Sequence, residues 1–364
     1  MTIFSVQRSK SMKHLHTNKY NGKTVEGGGG LPGEKGANGN YNNALAIFSK
    51  FGISLTDFGT NWVQIDENKE WTSVSLSTSG QYQTAVASGD YIYVSTDFGD
   101  TWKKSPDQAI NSTSKNWTSV SLSANGQYQT AVASGDCIYV SSDFGVTWTK
   151  PSGVPNQNWF SVSLSATGQY QLAVGDDIFA TSSDYGVSWS PLTDIKGKIW
   201  TCVLVSTSGE YQTALAENDF IYVSTDFGGT FQKANDQVIN SEPKKWVSIA
   251  ISSSCQYQTA VASGTTGEYI YISTDFGNTW IVKKTDETGN SLQKKWTRVS
   301  LSASGQYQTA VASDFIYVSD DFGNTWREIN SAPRNWRSVS LSASGQYQTA
   351  VTENGIYTCI SSVY

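Results

Sequence analysis

The sequence predicts an all-β fold: a seven-bladed β-propeller of four-stranded antiparallel blades, closed by N- and C-terminal strands in one blade. A unit that opens on tryptophan recurs about every 40 to 50 residues, a period typical of propellers, solenoids and arrays. Within each unit the residues alternate as they do in short strands, and turns containing glycine separate these segments. We number the repeats 1 to 7 from their opening residues: Trp71, Trp117, Trp159, Trp200, Trp246, Trp296 and Trp336.

Repeat 1 shows the four predicted strands in order. The segment "WTSVSLS" from Trp71 alternates small polar and aliphatic residues, which predicts a first strand. A turn containing Gly80 leads to the second strand, "QYQTAVA", and Gly89-Asp90 suits a two-residue hairpin because glycine stands first. The third strand, "YIYVS", is rich in aromatic and β-branched residues. The nonapeptide "VSTDFGDTW" then turns the chain, and Trp102 begins a fourth strand.

The two ends of the repeat series complement each other. After Trp336 the sequence supplies three strands and no further nonapeptide, whereas a degenerate copy, "SLTDFGTNW", precedes repeat 1. We therefore expect the closing blade to take its fourth strand from around Trp62, which removes exposed sheet edges. The predicted organisation is a disordered basic arm at 1–26, a Gly-rich linker with collagen-like Gly-x-y triplets at 27–42, and the propeller at 43–364.

The nonapeptide pattern Ser-x-Asp-x-Gly-x-Thr-Trp resembles the Asp-box, or BNR repeat. That repeat occurs in propellers of sialidases, xyloglucanase-type glycoside hydrolases, sortilin-like receptors and a photosystem assembly factor, so the resemblance implies a sialidase-like fold and leaves the function open. The residue types indicate a structural role, because aspartate accepts turn amides, glycine takes a positive φ and tryptophan packs between blades. The predicted structural aspartates are Asp57, Asp97, Asp143, Asp184, Asp226, Asp275 and Asp321.

A tyrosine in the motif "QYQ" or its variant "EYQ" recurs once in every repeat. One active site does not need seven copies of a residue, so these side chains are either architectural or the basis of seven equivalent ligand pockets. They are Tyr82, Tyr128, Tyr170, Tyr211, Tyr257, Tyr307 and Tyr347.

Departures from the repeat are the candidate single sites. Arg298 and Arg337 replace residues of the first strand in consecutive repeats, and Arg334 lies nearby. Because arginine forks recognise carboxylate or phosphate, these three residues are candidates for binding an anionic ligand, with ordinary solvated arginines as the alternative. The resemblance to sialidases weakens here, since the sequence has no Arg-Ile-Pro motif and no distinguishable Tyr/Glu nucleophile pair.

A second series of candidates is acidic. A carboxylate precedes the third strand in six repeats, which predicts a ring of negative charge on the face opposite the Asp-boxes, suited to a basic partner or cations. The alternative is that each one only stabilises its own turn. The residues are Asp90, Asp136, Asp176, Asp219, Glu268 and Asp314.

Composition excludes several classes of function. The net charge is −6, and the first 25 residues contain five basic residues and no acid, so the remainder is more acidic still; this argues against a nucleic-acid partner. The only histidines, His14 and His16, precede the repeats, which excludes a His-based catalytic triad in the propeller. We find no metal-ligand cluster, phosphate loop or membrane span, and expect no cofactor. Without an apolar signal segment, a cytoplasmic or virion-associated location is favoured over secretion.

Near-identical repeats favour binding over catalysis, because an active site usually forces the copies to diverge. The first functional hypothesis is a non-catalytic interaction module that recognises a protein or glycan on one face, for example as the head of a fibre or virion-surface protein. The alternatives are a multivalent lectin with repeated inter-blade pockets and a glycoside hydrolase of sialidase-like fold. We expect a monomer, or a trimer if the Gly-x-y segment forms a stalk.

Overall fold

The computed structural model describes residues 18–20, 23–25, 58–67, 69–107, 110, 112–152, 154–192, 197–329, 333–361 and 363. The chain divides into two compact units, 1–56 with 364, and 57–363. In the first unit, β1 (Asn18–Tyr20) pairs antiparallel with β2 (Lys23–Val25). The rest of the predicted arm at 1–26, and the whole linker at 27–42, lie outside the described residues.

The second unit is built from the predicted repeats, with strands numbered along the chain. The strand before repeat 1 is β3 (Trp62–Glu67). Repeat 1 contains β4 (Trp71–Leu76), β5 (Gln83–Ala87), β6 (Ile92–Ser95) and β7 (Lys103–Lys104). Repeat 2 contains β8 (Trp117–Leu122), β9 (Gln129–Asp136) and β10 (Ile138–Ser141). Repeat 3 contains β11 (Gln157–Leu164), β12 (Gln171–Gly175), β13 (Ile178–Ser182) and β14 (Ser190–Pro191).

The remaining repeats follow the same order. Repeat 4 contains β15 (Trp200–Val205), β16 (Gln212–Ala216), β17 (Ile221–Ser224) and β18 (Gln232–Lys233), followed by the short helix α1 (Gln237–Asn240). Repeat 5 contains β19 (Trp246–Ile251), β20 (Gln258–Ala262), β21 (Ile270–Ser273) and β22 (Ile281–Lys283). Repeat 6 contains β23 (Trp296–Leu301), β24 (Gln308–Ala312), β25 (Ile316–Ser319) and β26 (Arg327–Ile329). Repeat 7 contains β27 (Trp336–Leu341), β28 (Tyr347–Thr352) and β29 (Gly355–Ile360).

The prediction of seven four-stranded blades is wrong. The described residues form five four-stranded blades, and the strands of repeats 2 and 3 share one seven-stranded sheet. The cause is the length of β9 and β11, whose extended ends pair through Gln157 with Asp136 and Asn158 with Ser134. In repeat 2 the fourth strand is reduced to a single bridge between Val140 and Thr149. The fold remains an all-β propeller.

The closing blade forms as the sequence predicts. Strands β27, β28 and β29 are followed by β3, which pairs antiparallel with β29 from Trp62 opposite Cys359 to Glu67 opposite Gly355. A backbone hydrogen bond of 2.9 Å from the amide of Ala343 to the carbonyl of Thr78 then joins repeat 7 to repeat 1. Closure therefore depends on residues almost 300 positions apart in the chain.

The serines of the first strand explain why that strand is rich in small polar residues. Apart from β11, each first strand is an edge strand of its sheet, so half of its amides lack a partner in the ladder. The amide of Val120 donates to Ser73 Oγ at 3.3 Å, and that of Leu122 donates to Ser75 Oγ at 3.2 Å. Serine side chains of one repeat thus accept hydrogen bonds from edge-strand amides of the next repeat. Buried amides normally need such partners.

The core lies between neighbouring repeats. The opening tryptophan of every repeat is at most 1% exposed, and the alanine and valine side chains of the second strands are fully buried. In repeat 1, the ring of Trp71 meets that of Tyr93 edge to face, with centroids 5.1 Å apart. Such pairs add about 0.5–1.5 kcal/mol beyond the area they bury.

Candidate binding surfaces

The alternating strand directions place the turns at two ends of the propeller. The Asp-box turns, between strands three and four, share one end with the turns between strands one and two; we call this the box end. The turns between strands two and three share the opposite end with the links between repeats; we call this the link end.

At the box end, the Asp-box carboxylate closes its own turn. Asp97 Oδ1 accepts the amide of Thr101 at 2.9 Å and the hydroxyl of Ser95 at 2.9 Å, and Oδ2 accepts the hydroxyl of Thr101 at 2.7 Å. Gly99, at φ +84°, donates its amide to Ser95 Oγ. The bonds from the first serine, and from the amide and hydroxyl of the later threonine or serine, recur at Asp143, Asp184, Asp226, Asp275 and Asp321. Asp57 lies outside the described residues.

These hydrogen bonds also affect the pKa of the Asp-box carboxylates. Partial burial by itself would raise the pKa of Asp97, but the hydrogen bonds from Thr101 and Ser95 outweigh it and hold the pKa below its usual value. The pKa is lowered in the same way at Asp143, Asp184 and Asp275. At Asp226 the pKa is lowered chiefly by the hydrogen bond from the amide of Thr230. The carboxylates are thus ionised acceptors that serve the turn, as the structural interpretation requires.

The recurring tyrosines pack between repeats at the same end. Each of six tyrosines contacts the aromatic residue of a neighbouring Asp-box, with ring centroids 4.6–4.9 Å apart. The ring also covers the turn glycine of the next repeat, where any Cβ would lie 2.9 Å or less from the tyrosine. The tyrosine positions are therefore filled by neighbouring side chains in six repeats. These tyrosines are Tyr82, Tyr128, Tyr170, Tyr257, Tyr307 and Tyr347.

Tyr211 is the exception, and the sequence contains the reason. Cys255 stands where the other repeats have the turn glycine, and it keeps a left-handed φ of 63°. Its Cβ occupies the space that the ring of Tyr211 would need. Tyr211 is 42% exposed and its expected partner, Phe276, is 57% exposed, with no ring contact between them in the described structure. The replacement of the turn glycine by Cys255 is visible in the sequence and could have predicted that Tyr211 packs differently.

At the link end, the acidic series is interleaved with cations and tyrosines. Lys115 forms an ion pair of 3.0 Å with Asp136, and Lys198 pairs with Asp219. The third-strand tyrosine donates its hydroxyl to the carboxylate of Asp90, Asp136, Asp219 and Glu268. Asp176 accepts a bond from Asn158, and Asp314 accepts the amide of Phe315. The six carboxylates lie at equivalent turns, yet they do not form a bare negative rim.

Sequence reasoning missed the cations of this ring. Six repeats carry a lysine or arginine two residues before the opening tryptophan, and each lies 4.8–5.8 Å from the centroid of a third-strand tyrosine. Repeat 3 has Gln157 instead, and there the tyrosine is also replaced, by Phe179. Because the cation and the tyrosine are replaced in the same repeat, the sequence itself indicated that these two residues interact. The cations are Lys69, Lys115, Lys198, Lys244, Lys294 and Arg334.

The candidate arginines have separate partners. Arg334 Nε donates to the hydroxyl of Tyr357 at 3.0 Å, and Arg337 Nη2 lies 3.2 Å from Glu353 at the surface. Arg298 extends instead from repeat 6 to repeat 4, where Nη1 lies 3.7 Å from Cys202 Sγ. Among the described residues no carboxylate comes within ion-pair distance of Arg298. The structure therefore distinguishes Arg298 from the other two.

Two further searches cover the described part of the chain alone. There, no group of three or more His, Cys, Asp or Glu side chains is arranged to hold a metal ion. None of the helices found there has the length and apolar character that a membrane crossing requires.

The hydrogen bonds of the Asp-box join its serine, aspartate, glycine and threonine, and models of this repeat family match the sequence at the same positions. The model described as the BNR-Asp box repeat matches residues 138–150, 221–234 and 316–329, and that described as the BNR/Asp-box repeat matches 93–104. This chain folds as a β-propeller and carries BNR/Asp-box repeats. No curated protein matches its sequence.

Solved structures share the fold at low identity. A structure of YCF48 bound to a D1 peptide aligns with a TM-score of 0.61 and 15% identity over 83% of this chain and 96% of that chain. The GH74 enzyme of Niastella koreensis aligns with a TM-score of 0.66 and 16% identity, covering 84% of this chain and 54% of that one. The WD40 repeats of RRP9 align with a TM-score of 0.63 and 8% identity, covering 82% of this chain and 97% of that one. At these identities the likeness shows the fold alone.

Proposed function

We propose that this propeller is a non-catalytic interaction module that binds a protein or glycan ligand at its link end. The observation that carries the proposal is that the repeats differ mainly at this end. Twelve residues separate β7 from Trp117, whereas six separate β26 from Trp336. By contrast, the six Asp-boxes that the structure describes keep one length and one hydrogen-bond pattern. Variable loops on a uniform scaffold are the usual location of recognition sites.

The chemistry of the link end suits recognition. Lysine, tyrosine and carboxylate side chains alternate around it, and several are half-buried, so each repeat offers both signs of charge beside an aromatic ring. Aromatic residues and arginine are enriched at binding hot spots. Because the charges are paired, we expect a polar ligand of mixed charge rather than a strongly basic one.

A protein ligand has additional support. One structural neighbour, YCF48, has been solved with a peptide bound, which supports peptide binding by a propeller of this kind. The Gly-x-y triplets within 27–42 support a position at the head of a fibre or virion-surface protein, since such triplets form stalks in longer copies.

The test compares matched variants at the two ends. Lys245→Glu with Lys295→Glu places two new carboxylates at the link end, and Val146→Glu with Val187→Glu places two at the box end. All four side chains are exposed, so both proteins should fold. Ligands would be found by glycan array and peptide display with the unaltered protein.

We expect the link-end variant to lose the selected ligand and the box-end variant to keep it. The opposite result would place the ligand at the Asp-boxes and refute the assignment of the face. Hydrolysis of sialosides, xyloglucan and aryl glycosides should be undetectable, and measured turnover of any of them would refute the non-catalytic part of the proposal.

A further inference from the structure

The interface between repeats 4 and 5 lacks several bonds that join most of the other repeats. A chain of backbone hydrogen bonds runs around the box end, from each first turn to the next repeat. Bonds of 2.8–3.1 Å join residue 78 to 124, 124 to 166, 166 to 207, 253 to 303, 303 to 343, and 343 back to 78. Within the described structure, no bond connects Thr207 to Ser253. We call the interface between repeats 4 and 5 the seam.

Side-chain bonds are missing at the seam as well. In five interfaces a threonine hydroxyl donates to the glutamine of the next repeat at 2.6–2.8 Å. Thr213 and Gln258 hold these positions at the seam, yet the described structure shows no bond between them. Tyr211 and Phe276, which hold the equivalent positions here, lack the ring contact found elsewhere. A bond of 2.8 Å from Thr201 Oγ1 to the carbonyl of Trp246 is retained.

Two amides at the seam have lost their acceptors. Val203 and Val205 donate to Ser161 and Ser163 in the preceding repeat. The equivalent amides of repeat 5 are those of Ile249 and Ile251, since their register in the sheet is the same. Their acceptors should be in repeat 4, but Cys202 and Leu204 replace the two serines. Neither amide has a side-chain acceptor among the described residues, although such donors are normally satisfied.

The guanidinium of Arg298 reaches the same place. Arg298 itself replaces a first-strand serine, and its side chain crosses the axial channel enclosed by the first strands to Cys202 Sγ, 3.7 Å away. A thiol is a weak acceptor and the guanidinium has five N–H groups, so most of its hydrogen-bonding capacity is unused. At the seam, two amides therefore lack the serine oxygens found in other repeats, and the guanidinium of Arg298 lies beside Cys202, one of the two residues that replace those serines.

The channel has room for a ligand next to Ile251, one of the two residues whose amides lack a serine acceptor. A cavity of about 210 Å³ lies at its box end, and its lining includes Leu204, Ile251, Thr207 and Ser253 of the seam. The volume is many times what one water molecule requires. A small ion with some of its water shell would fit.

We propose that the channel beside the seam binds a small oxyanion, a carboxylate or a phosphate, through the guanidinium of Arg298 and the amides of Ile249 and Ile251. Arginine and backbone amides are the donors that proteins use for such groups. The site goes beyond the proposed function and does not depend on it, because it lies inside the channel rather than on the link end.

The test uses inorganic phosphate and acetate as separate probes on the full chain, with isothermal titration and melting temperatures at constant ionic strength. A ligand bound only by the folded protein raises the melting temperature as its concentration exceeds the dissociation constant. Arg298→Ser should lower the affinity by about tenfold or more, because it removes charged hydrogen bonds. It should fold, since serine is the residue found at this position in most repeats.

Two further variants make the result specific. Arg337→Thr removes an arginine from the next repeat that is already paired with Glu353, and should leave the affinity unchanged. Cys202→Ser with Leu204→Ser gives both amides their missing acceptors, and should weaken binding severalfold while Arg298 remains. Equal binding by the unaltered protein and Arg298→Ser, or no binding of either probe, would overturn the proposal. The tighter probe identifies the class of ligand.

Discussion

The weakness of the seam can be measured by removing one hydroxyl at two equivalent positions. Thr84 Oγ1 donates to Gln129 Oε1 at 2.7 Å, and both side chains are 2% exposed or less. Thr84→Val conserves the shape but removes the donor, so Gln129 Oε1 would be buried without a partner. Leaving a buried acceptor unsatisfied costs about 1–3 kcal/mol. We expect the free energy of unfolding to fall by that amount.

Thr213→Val is the matched control at the seam. Thr213 is 6% exposed and makes no bond to Gln258 in the described structure, so there is no equivalent bond to lose. Its substitution should change the free energy of unfolding by less than about 0.5 kcal/mol. Urea denaturation of both variants, followed by tryptophan fluorescence, gives the comparison. Equal destabilisation by the two substitutions would refute the reasoning, because it would show that the Thr213 hydroxyl is bonded as in the other repeats.

Three other predictions follow from the packing and closure of the repeats. Cys255→Gly should stabilise the fold by about 1 kcal/mol, because it relieves a left-handed residue and lets Tyr211 pack; Cys255→Ala, which keeps the Cβ, should give no such gain in thermal denaturation. Asp97→Ala should cost about 1–3 kcal/mol through three lost hydrogen bonds. Because the folded pKa of Asp97 is lowered, its stabilisation is present above the unfolded pKa and lost as pH falls through the folded pKa, so the cost should shrink in acid titrations. Deletion of residues 1–70 removes β3 and exposes the edge of β29; aggregation should appear in size-exclusion chromatography, and a stable monomer would show that closure does not need β3.

The prediction of blades failed where strands of different repeats meet. Alternation in "QYQTAVA" predicts a strand, but it does not say where that strand ends. In repeat 2 the extension of β9 to Asp136 lets it pair with β11, and two repeats share one sheet. Whether such ends pair depends on the approach of a segment more than 20 residues away, which local periodicity does not record.

The candidate charges illustrate the same limit. Sequence reasoning found the carboxylates at Asp136 and Asp219 but treated them as a negative ring. Lys115 and Lys198, which pair with them, lie some 20 residues earlier in the chain. Arg298 was singled out with Arg334 and Arg337 because of its residue type, and only its position in the channel separates it from them.

The sequence by itself determined the repeat, the order of the strands within it, the turn chemistry of the Asp-box and the closure through Trp62. These depend on periodicity and on residues a few positions apart, such as Asp97 and Thr101, which lie close in space because they belong to one turn. Only the tertiary structure decided which repeats share a sheet, which charged side chains form ion pairs and which inter-repeat hydrogen bonds are missing. Those outcomes depend on which side chain of one repeat faces which backbone group of the next. At the seam, the effect of Cys202, Leu204 and Cys255 depends on Ile249, Ile251 and Tyr211 in the neighbouring repeat, and the sequence alone does not show that these residues are neighbours.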